Sequence, residues 1–269
     1  MFAQINHCAI ISPQYTLLAK FYEAAFGFKH SSFRLVDAPL VADGYVGMQL
    51  IPRRDGYVGG LDHFGMAVDD VEVVLERMKK KHRRANVVRR PSTRPYAAYS
   101  GHDPDGNVFD LATKKDDNRK DLYKEQADGA HSTANYINRF AIRTPNAEEC
   151  AEFYSEVFEL KPVNRKTDAP GHHLTDGRMT LSILPWSIPI FGGMSIKRPG
   201  PDHLGIHVEN LDAFKTHIAE VAGANPYLAP VPLGGSPESN VRRDFFQANA
   251  LGKLQMTDPD GNWLDITDE

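Results

Sequence analysis

Cysteine is nearly absent from this chain. Only Cys8 and Cys150 occur in 269 residues, which excludes a disulfide framework and a cysteine metal cluster and suits a reducing compartment. Long apolar runs are missing too. None approaches the 18 or more residues that a membrane-spanning helix needs, and the longest apolar patch, 181–194, is broken by Pro185 and Pro189. The N-terminal MFAQINHCAII lacks the basic stretch of a secretory signal. The expectation is a cytoplasmic protein with no membrane partner. A strong excess of positive charge is also lacking. Lys plus Arg is 31 against 35 Asp plus Glu, for a net charge of -4. Neither half carries the basic balance that a phosphate backbone demands, so nucleic acid is not expected as a partner. The run Lys79, Lys80, Lys81, His82, Arg83, Arg84 reads as the cationic last turn of a helix, favoured by the helix dipole. Finally, there is no P-loop, GxGxxG, GxSxG or HExxH motif, which removes several common nucleotide and hydrolase chemistries.

What the sequence does contain is an internal repeat. INHCAII (5–11) matches INRFAIR (137–143), and each leads to a helix expected to open on a cap-Pro pair, Ser12-Pro13 or Thr144-Pro145. Each helix carries a Phe-Tyr pair, Phe21-Tyr22 and Phe153-Tyr154. VDAP (36–39) matches TDAP (167–170), and ADGYVGMQLIP (42–52) matches TDGRMTLSILP (175–185). LDHFGMAVDD (61–70) matches PDHLGIHVEN (201–210), and HDPDGNVFDL (102–111) matches TDPDGNWLDI (257–266). Each half divides again into two units of a strand, a helix and further strands, so the chain reads as four modules. The first half spans 1–114, with modules at 1–55 and 60–114. The polar segment 115–133 reads as a linker, and 134–269 forms the second half.

This pattern resembles the vicinal oxygen chelate superfamily, which includes glyoxalase I, methylmalonyl-CoA epimerase, extradiol dioxygenases and fosfomycin or bleomycin resistance proteins. The resemblance covers nearly the whole chain. It implies an α+β fold of four βαβββ modules paired into two curled-sheet cups, with a metal in the cup.

Strand alternation tests which side chains face that cup. His7 shares a face with Ile5 and Ala9, His63 with Gly65 and Ala67, Gln49 with Gly47, and Asp110 with Val108 and Ala112. The opposite faces are bulky and apolar. His7, Gln49, His63 and Asp110 are therefore expected to converge on one divalent ion, Fe, Zn, Ni, Co or Mn. A buried Asp without a compensating cation would be costly. In glyoxalase-like relatives the ligands fall at these four module positions, with Glu where this chain has Asp110. The matching positions of the second half are Arg139, Ser182, His203 and Asp265, and they read as a degenerate copy in which Arg139 stands in for the ion and pairs with Asp265. A cross-half triad of His7, His203 and Asp265 is the alternative pairing.

A metal with open positions can chelate two adjacent substrate oxygens. Three outcomes follow: glyoxalase or epimerase-like lyase or isomerase chemistry, with Asp110 or His102 moving the proton; an Fe(II) extradiol-type dioxygenase; or a ligand-binding protein of the resistance type. Arg90, Arg94, Tyr96 and Tyr99, on the approach to the DPDG turn, are candidates to meet a substrate carboxylate or phenol. Asp103, Asp105 and Gly106 are assigned to turn geometry. The protein is expected to work on a small molecule as a monomer or homodimer.

Overall fold

The computed structural model describes residues 1–30, 39–91, 94–117, 133–163, 170–186 and 199–269, the side chain of Glu238 excepted. Most of the expected linker lies outside these residues. The first module comprises β1 (Ala3–Ser12), α1 (Tyr15–Phe26), β2 (Lys29–His30), β3 (Leu40–Ala42) and β4 (Gly47–Pro52). The second has β5 (Gly60–Val68), α2 (Val71–Lys81), β6 (Asn86–Arg89), β7 (Tyr99–His102) and β8 (Val108–Thr113). The third repeats the first with β9 (Tyr136–Thr144), α3 (Ala147–Phe158), β10 (Lys161–Pro162), β11 (His172–Thr175) and β12 (Thr180–Pro185). The fourth has β13 (Gly200–His207), α4 (Leu211–Ala224), α5 (Pro237–Asn249), β14 (Leu254–Thr257) and β15 (Trp263–Thr267). One sheet has the order β2-β3-β4-β1-β5-β8-β7-β6 and the other β10-β11-β12-β9-β13-β15-β14. The architecture is α+β, with βαβββ modules in two mixed sheets.

The fourth module departs from the expected βαβββ pattern. Among the described residues, α5 stands between α4 and β14, and no strand answers to β6. Phe246 of α5 is fully buried and stacks on Trp263 at 4.6 Å between ring centroids, with His203 at 5.1 Å. Ser236 and Ser239 form a capping box at the start of α5, and Pro237 follows the cap, a combination that satisfies orphan N–H groups and pre-sets the first helical turn.

The contacts group the chain into two compact units. One comprises Met1–Cys8, Asp62–Leu122 and Arg139–Asp202. Its core joins the second module to the third: Phe64 packs on Phe140 and Tyr154, and Phe109 packs on Phe153 and Phe158. The DPDG turn does more than reverse the chain. Asp103 does accept the N–H groups of Asp105 and Asn107, and Gly106 takes φ 89°, as a tight turn requires. The same Asp103 carboxylate also accepts the Tyr154 hydroxyl at 3.1 Å. Asp105 accepts from Thr144 Oγ1 at 2.5 Å and from the Asn146 N–H at 2.7 Å. The basic run joins in. Its lysines occupy the last turn of α2, as the helix dipole favours, while Lys81 and His82 meet Glu156 and Arg84 meets Glu149.

The other unit comprises Ala9–Leu61, Tyr123–Asn138 and His203–Glu269, and it repeats this arrangement between the first and fourth modules. Asp258 accepts the Tyr22 hydroxyl at 2.9 Å, and Asp260 accepts from Ser12 Oγ. The tyrosine of the Phe-Tyr pair and the DPDGN turn are thus partners across modules, the third with the second and the first with the fourth. This corrects the expected helix caps. Ser12 and Thr144 donate their hydroxyls to turn aspartates, while α1 and α3 begin after Gln14 and Asn146, neither of which makes a side-chain cap bond.

Candidate metal centre

Three buried side chains of the first compact unit converge. His7 comes from β1, His63 from β5 and Asp110 from β8. Each offers a ligand atom within 4.8 Å of the others. His63 Nε2 is 3.3 Å and His7 Nε2 3.6 Å from the same Asp110 oxygen, Oδ2. The two imidazole rings meet edge to face, 5.8 Å apart. Register explains the convergence, since β5 runs parallel to β8 with Gly65 opposite Asp110. Glycine at 65 leaves the room that the His7 ring fills. A methyl group there would come within 1.9 Å of His7 Cε1.

Both imidazoles are oriented from behind. His7 Nδ1 donates to Asn6 Oδ1 at 2.7 Å, and Asn6 in turn donates its Nδ2 to Asp117. His63 Nδ1 donates to Asp62 Oδ2 at 2.7 Å. Each bond fixes the ring and leaves Nε2 facing the cluster, the arrangement by which outer partners hold metal-ligating histidines. Burial alone would lower the His63 pKa, yet hydrogen bonds and charge from Asp110 and Asp62 raise it to about 9. Burial likewise opposes ionisation of Asp110, but the two histidines hold its carboxyl well below the usual range. The cluster therefore draws positive charge. Asp110 Oδ1 is buried with no hydrogen-bond partner, which a cation would supply. Two imidazoles and a carboxylate fit a borderline divalent ion.

Arg90 belongs to this cluster. Its Nη2 donates to Asp110 Oδ2 at 2.7 Å and its Nε to the Ala97 carbonyl at 2.9 Å. Tyr96 belongs too. It is buried on the 3-10 turn Pro95–Ala97, with its ring edge-on to His7 at 5.3 Å. Arg94 precedes that turn and accepts the Ala97 N–H on its carbonyl. Gln49 is buried on β4, and its amide nitrogen has no hydrogen-bond partner among the described residues. His102 pairs with Val108 in the β7–β8 ladder, where Ser100 pairs with Asp110, so it shares the Asp110 face. Its Nδ1 donates to the Asp103 carbonyl. Tyr99 is a correction. It pairs with Leu111, and alternation turns it to the face opposite Asp110. Asn6, Asp62 and Gly65 escaped the sequence reading. The first two directly precede the histidines, and strand alternation points neighbours to opposite faces; only the ring nitrogens reach back to them.

The second half is built differently. The Asp265 carboxylate accepts the N–H groups of Leu251 and Gly252 and the Gln255 amide, at 2.8–3.1 Å. Ser182 Oγ is hydrogen-bonded to His173 Nδ1 at 2.8 Å, and Arg139 is buried on β9. Among the described residues, the group with metal-ligand geometry is the first-half set and not the cross-half triad.

Comparison with known proteins agrees with this architecture. No curated protein matches the sequence. Among solved structures, a Mn(II)-bound glyoxalase from Novosphingobium aromaticivorans superposes with a TM-score of 0.63 at 14% identity, covering 99% of this chain and 82% of that one. A variant of homoprotocatechuate 2,3-dioxygenase from B. fuscum gives 0.59 at 16% identity, over 98% of this chain and 70% of that one. A xylose isomerase-like TIM barrel/4-hydroxyphenylpyruvate dioxygenase fusion protein gives 0.59 at 12% identity; this chain is 99% covered and spans 48% of the fusion. At such identities the likeness is one of fold. The family model described as Glyoxalase/Bleomycin resistance protein/Dioxygenase superfamily matches residues 4–111 and again 136–266. With both halves matched, the chain belongs to the glyoxalase/bleomycin resistance protein/dioxygenase superfamily.

Proposed function

We propose that this chain is a metal-dependent enzyme acting on a small substrate through two adjacent oxygens. His7, His63 and Asp110 are the metal ligands. The observation that carries this is the convergence of two Nε2 atoms on one buried carboxylate oxygen, with both Nδ1 atoms engaged from outside. A divalent ion of the Fe, Zn, Ni, Co or Mn group would supply Lewis-acid polarisation of the chelated oxygens.

The reaction we favour is proton transfer at a C–H beside a carbonyl, of the glyoxalase or epimerase lyase or isomerase type. His102 is assigned as the base. Its Nδ1–H is committed to the Asp103 carbonyl, which leaves Nε2 as an acceptor on the Asp110 face. Asp110 is less suited to carry the proton, because its carboxyl is held ionised and is engaged by Arg90. Tyr96, Arg90 and Arg94 are assigned to the substrate side. One observation favours a second reading. Two histidines and one carboxylate are also the ligand set of Fe(II) oxygenases, and the fold is shared with a homoprotocatechuate 2,3-dioxygenase.

The test is elemental analysis of protein purified without oxygen or a metal-affinity tag. About one divalent ion per chain is expected, with loss in both His7→Ala and His63→Ala. Unchanged metal content in those variants would remove the basis of the proposal. A chain that takes up no ion would be a ligand-binding protein. Deuterium exchange into a substrate C–H, followed by NMR, separates the proton-transfer reading from catechol-dependent oxygen uptake. His102→Gln should abolish the exchange while retaining the ion.

A further inference from the structure

The guanidinium of Arg90 lies directly against Asp110, one of the three converging side chains. It is fixed from two sides, by Nε on the Ala97 carbonyl and Nη2 on Asp110 Oδ2, while the Arg90 main-chain N–H donates to the Ala98 carbonyl. The 3-10 turn that bears Tyr96 is thereby tied to Arg90 through both main chain and side chain. Asp110 is 1% exposed and the Arg90 side chain 34% exposed, so the arginine reaches from the buried ligand set to solvent. Its third nitrogen, Nη1, makes no hydrogen bond among the described residues.

Charge decides what such a site would accept. Arg90 and Asp110 balance one another as they stand. A divalent ion held by His7, His63 and Asp110 adds two positive charges at the same buried place, and Asp110 offsets only one of the three. Asp62, behind His63, is 41% exposed and screened by water. A buried excess of positive charge is costly unless an anion accompanies it. A planar guanidinium with a free edge recognises a carboxylate by paired N–H bonds.

We infer that Arg90 is the specificity-determining residue of this site and selects an anionic substrate, a carboxylate bearing an adjacent hydroxyl or keto oxygen. The inference rests on the metal-site reading above. An ion held by His7, His63 and Asp110 would supply Lewis-acid binding of the adjacent oxygens, and Arg90 takes the carboxylate charge. Metal and carboxylate binding are therefore positively coupled, and Arg90 carries the coupling.

The experiment uses the full chain loaded with Co(II), whose visible spectrum reports ligand exchange directly and needs no turnover. Metal stoichiometry is measured first in the wild type, Arg90→Gln and Arg90→Lys. Each protein is then titrated with lactate, a 2-hydroxy carboxylate, and separately with imidazole, a neutral metal ligand. The expected result is that all three proteins hold one Co(II). Arg90→Gln should weaken lactate by about tenfold or more, the loss of one charge-assisted contact, and leave imidazole within about twofold. Arg90→Lys should retain part of the lactate affinity, as charge without the planar fork predicts. If Arg90→Gln binds lactate as the wild type does, the assignment of Arg90 is overturned and the metal site stands. If Arg90→Gln loses the cobalt while Arg90→Lys keeps it and shows wild-type lactate binding, Arg90 serves Asp110 and not the substrate, which also overturns it. A wild type that holds no Co(II) overturns the metal-site reading and the inference with it.

Discussion

Gly65→Ala offers a test in which two physical arguments predict opposite signs. On backbone entropy alone, alanine in a strand should be more stable than glycine by about 0.5–1 kcal/mol. Gly65 lies inside β5 and does not have a positive φ, so the backbone gives no reason for glycine. The space does. An added methyl would lie 1.9 Å from His7 Cε1, 2.3 Å from Nδ1 and 2.6 Å from Nε2. The His7 ring cannot retreat easily, since it is fully buried, stands edge-on to Tyr96 and His63, and is bonded through Nδ1 to Asn6. Overpacking of this kind costs about 1–3 kcal/mol. Displacement of the ring also sacrifices the Asn6 bond, about 1 kcal/mol more. Set against the backbone gain, the variant should be destabilised by about 1–3 kcal/mol net in urea unfolding measured with a chelator present. On the proposed metal-site reading it should also hold no more divalent ion than His7→Ala does, because Nε2 leaves the cluster. A Gly65→Ala protein that is as stable as the wild type and keeps a full complement of metal would refute the reasoning.

Two further predictions concern the docking of turn to helix. Asp105→Ala removes the acceptor of Thr144 Oγ1, the Asn146 N–H and amide, and an Arg84 contact; the expected cost is about 2–3 kcal/mol, read from the denaturant midpoint, with no change in metal stoichiometry. Asp258 sets a pH dependence. Burial outweighs the bonds from Asn262 and Tyr22 and raises its pKa from 3.8 to about 6. Its contribution is fully present below the unfolded value of 3.8, falls as pH rises from there, and is lost above about 6, because the folded chain must then bury a charge. Two pH units correspond to about 3 kcal/mol. Unfolding measured across pH 4–7 should show this decline in the wild type and a shallower one in Asp258→Asn; identical slopes would refute it.

The repeat alone determined a good deal. Duplicated motifs in a constant order imply duplicated modules, and strand alternation placed His7, His63 and Asp110 on one face because a two-residue period leaves a short strand only two faces. Both are local properties, legible without knowing which strands are neighbours. Everything that depends on neighbours was decided by the tertiary structure. The β7–β8 register turned Tyr99 away from the cluster and left His102 on its face. Ser12 and Thr144, which read as helix caps, give their hydroxyls to aspartates more than 200 and about 40 residues distant. The Phe-Tyr pair and DPDGN recur together because they bond to each other, a pairing that lies across modules and has no short-range signature. Asp265 matched Asp110 in sequence, yet it accepts N–H groups from the loop after α5, a helix with no counterpart among the described residues of the first half. What a repeated carboxylate meets depends on what the rest of the chain brings to it, and identical motifs carry no record of that.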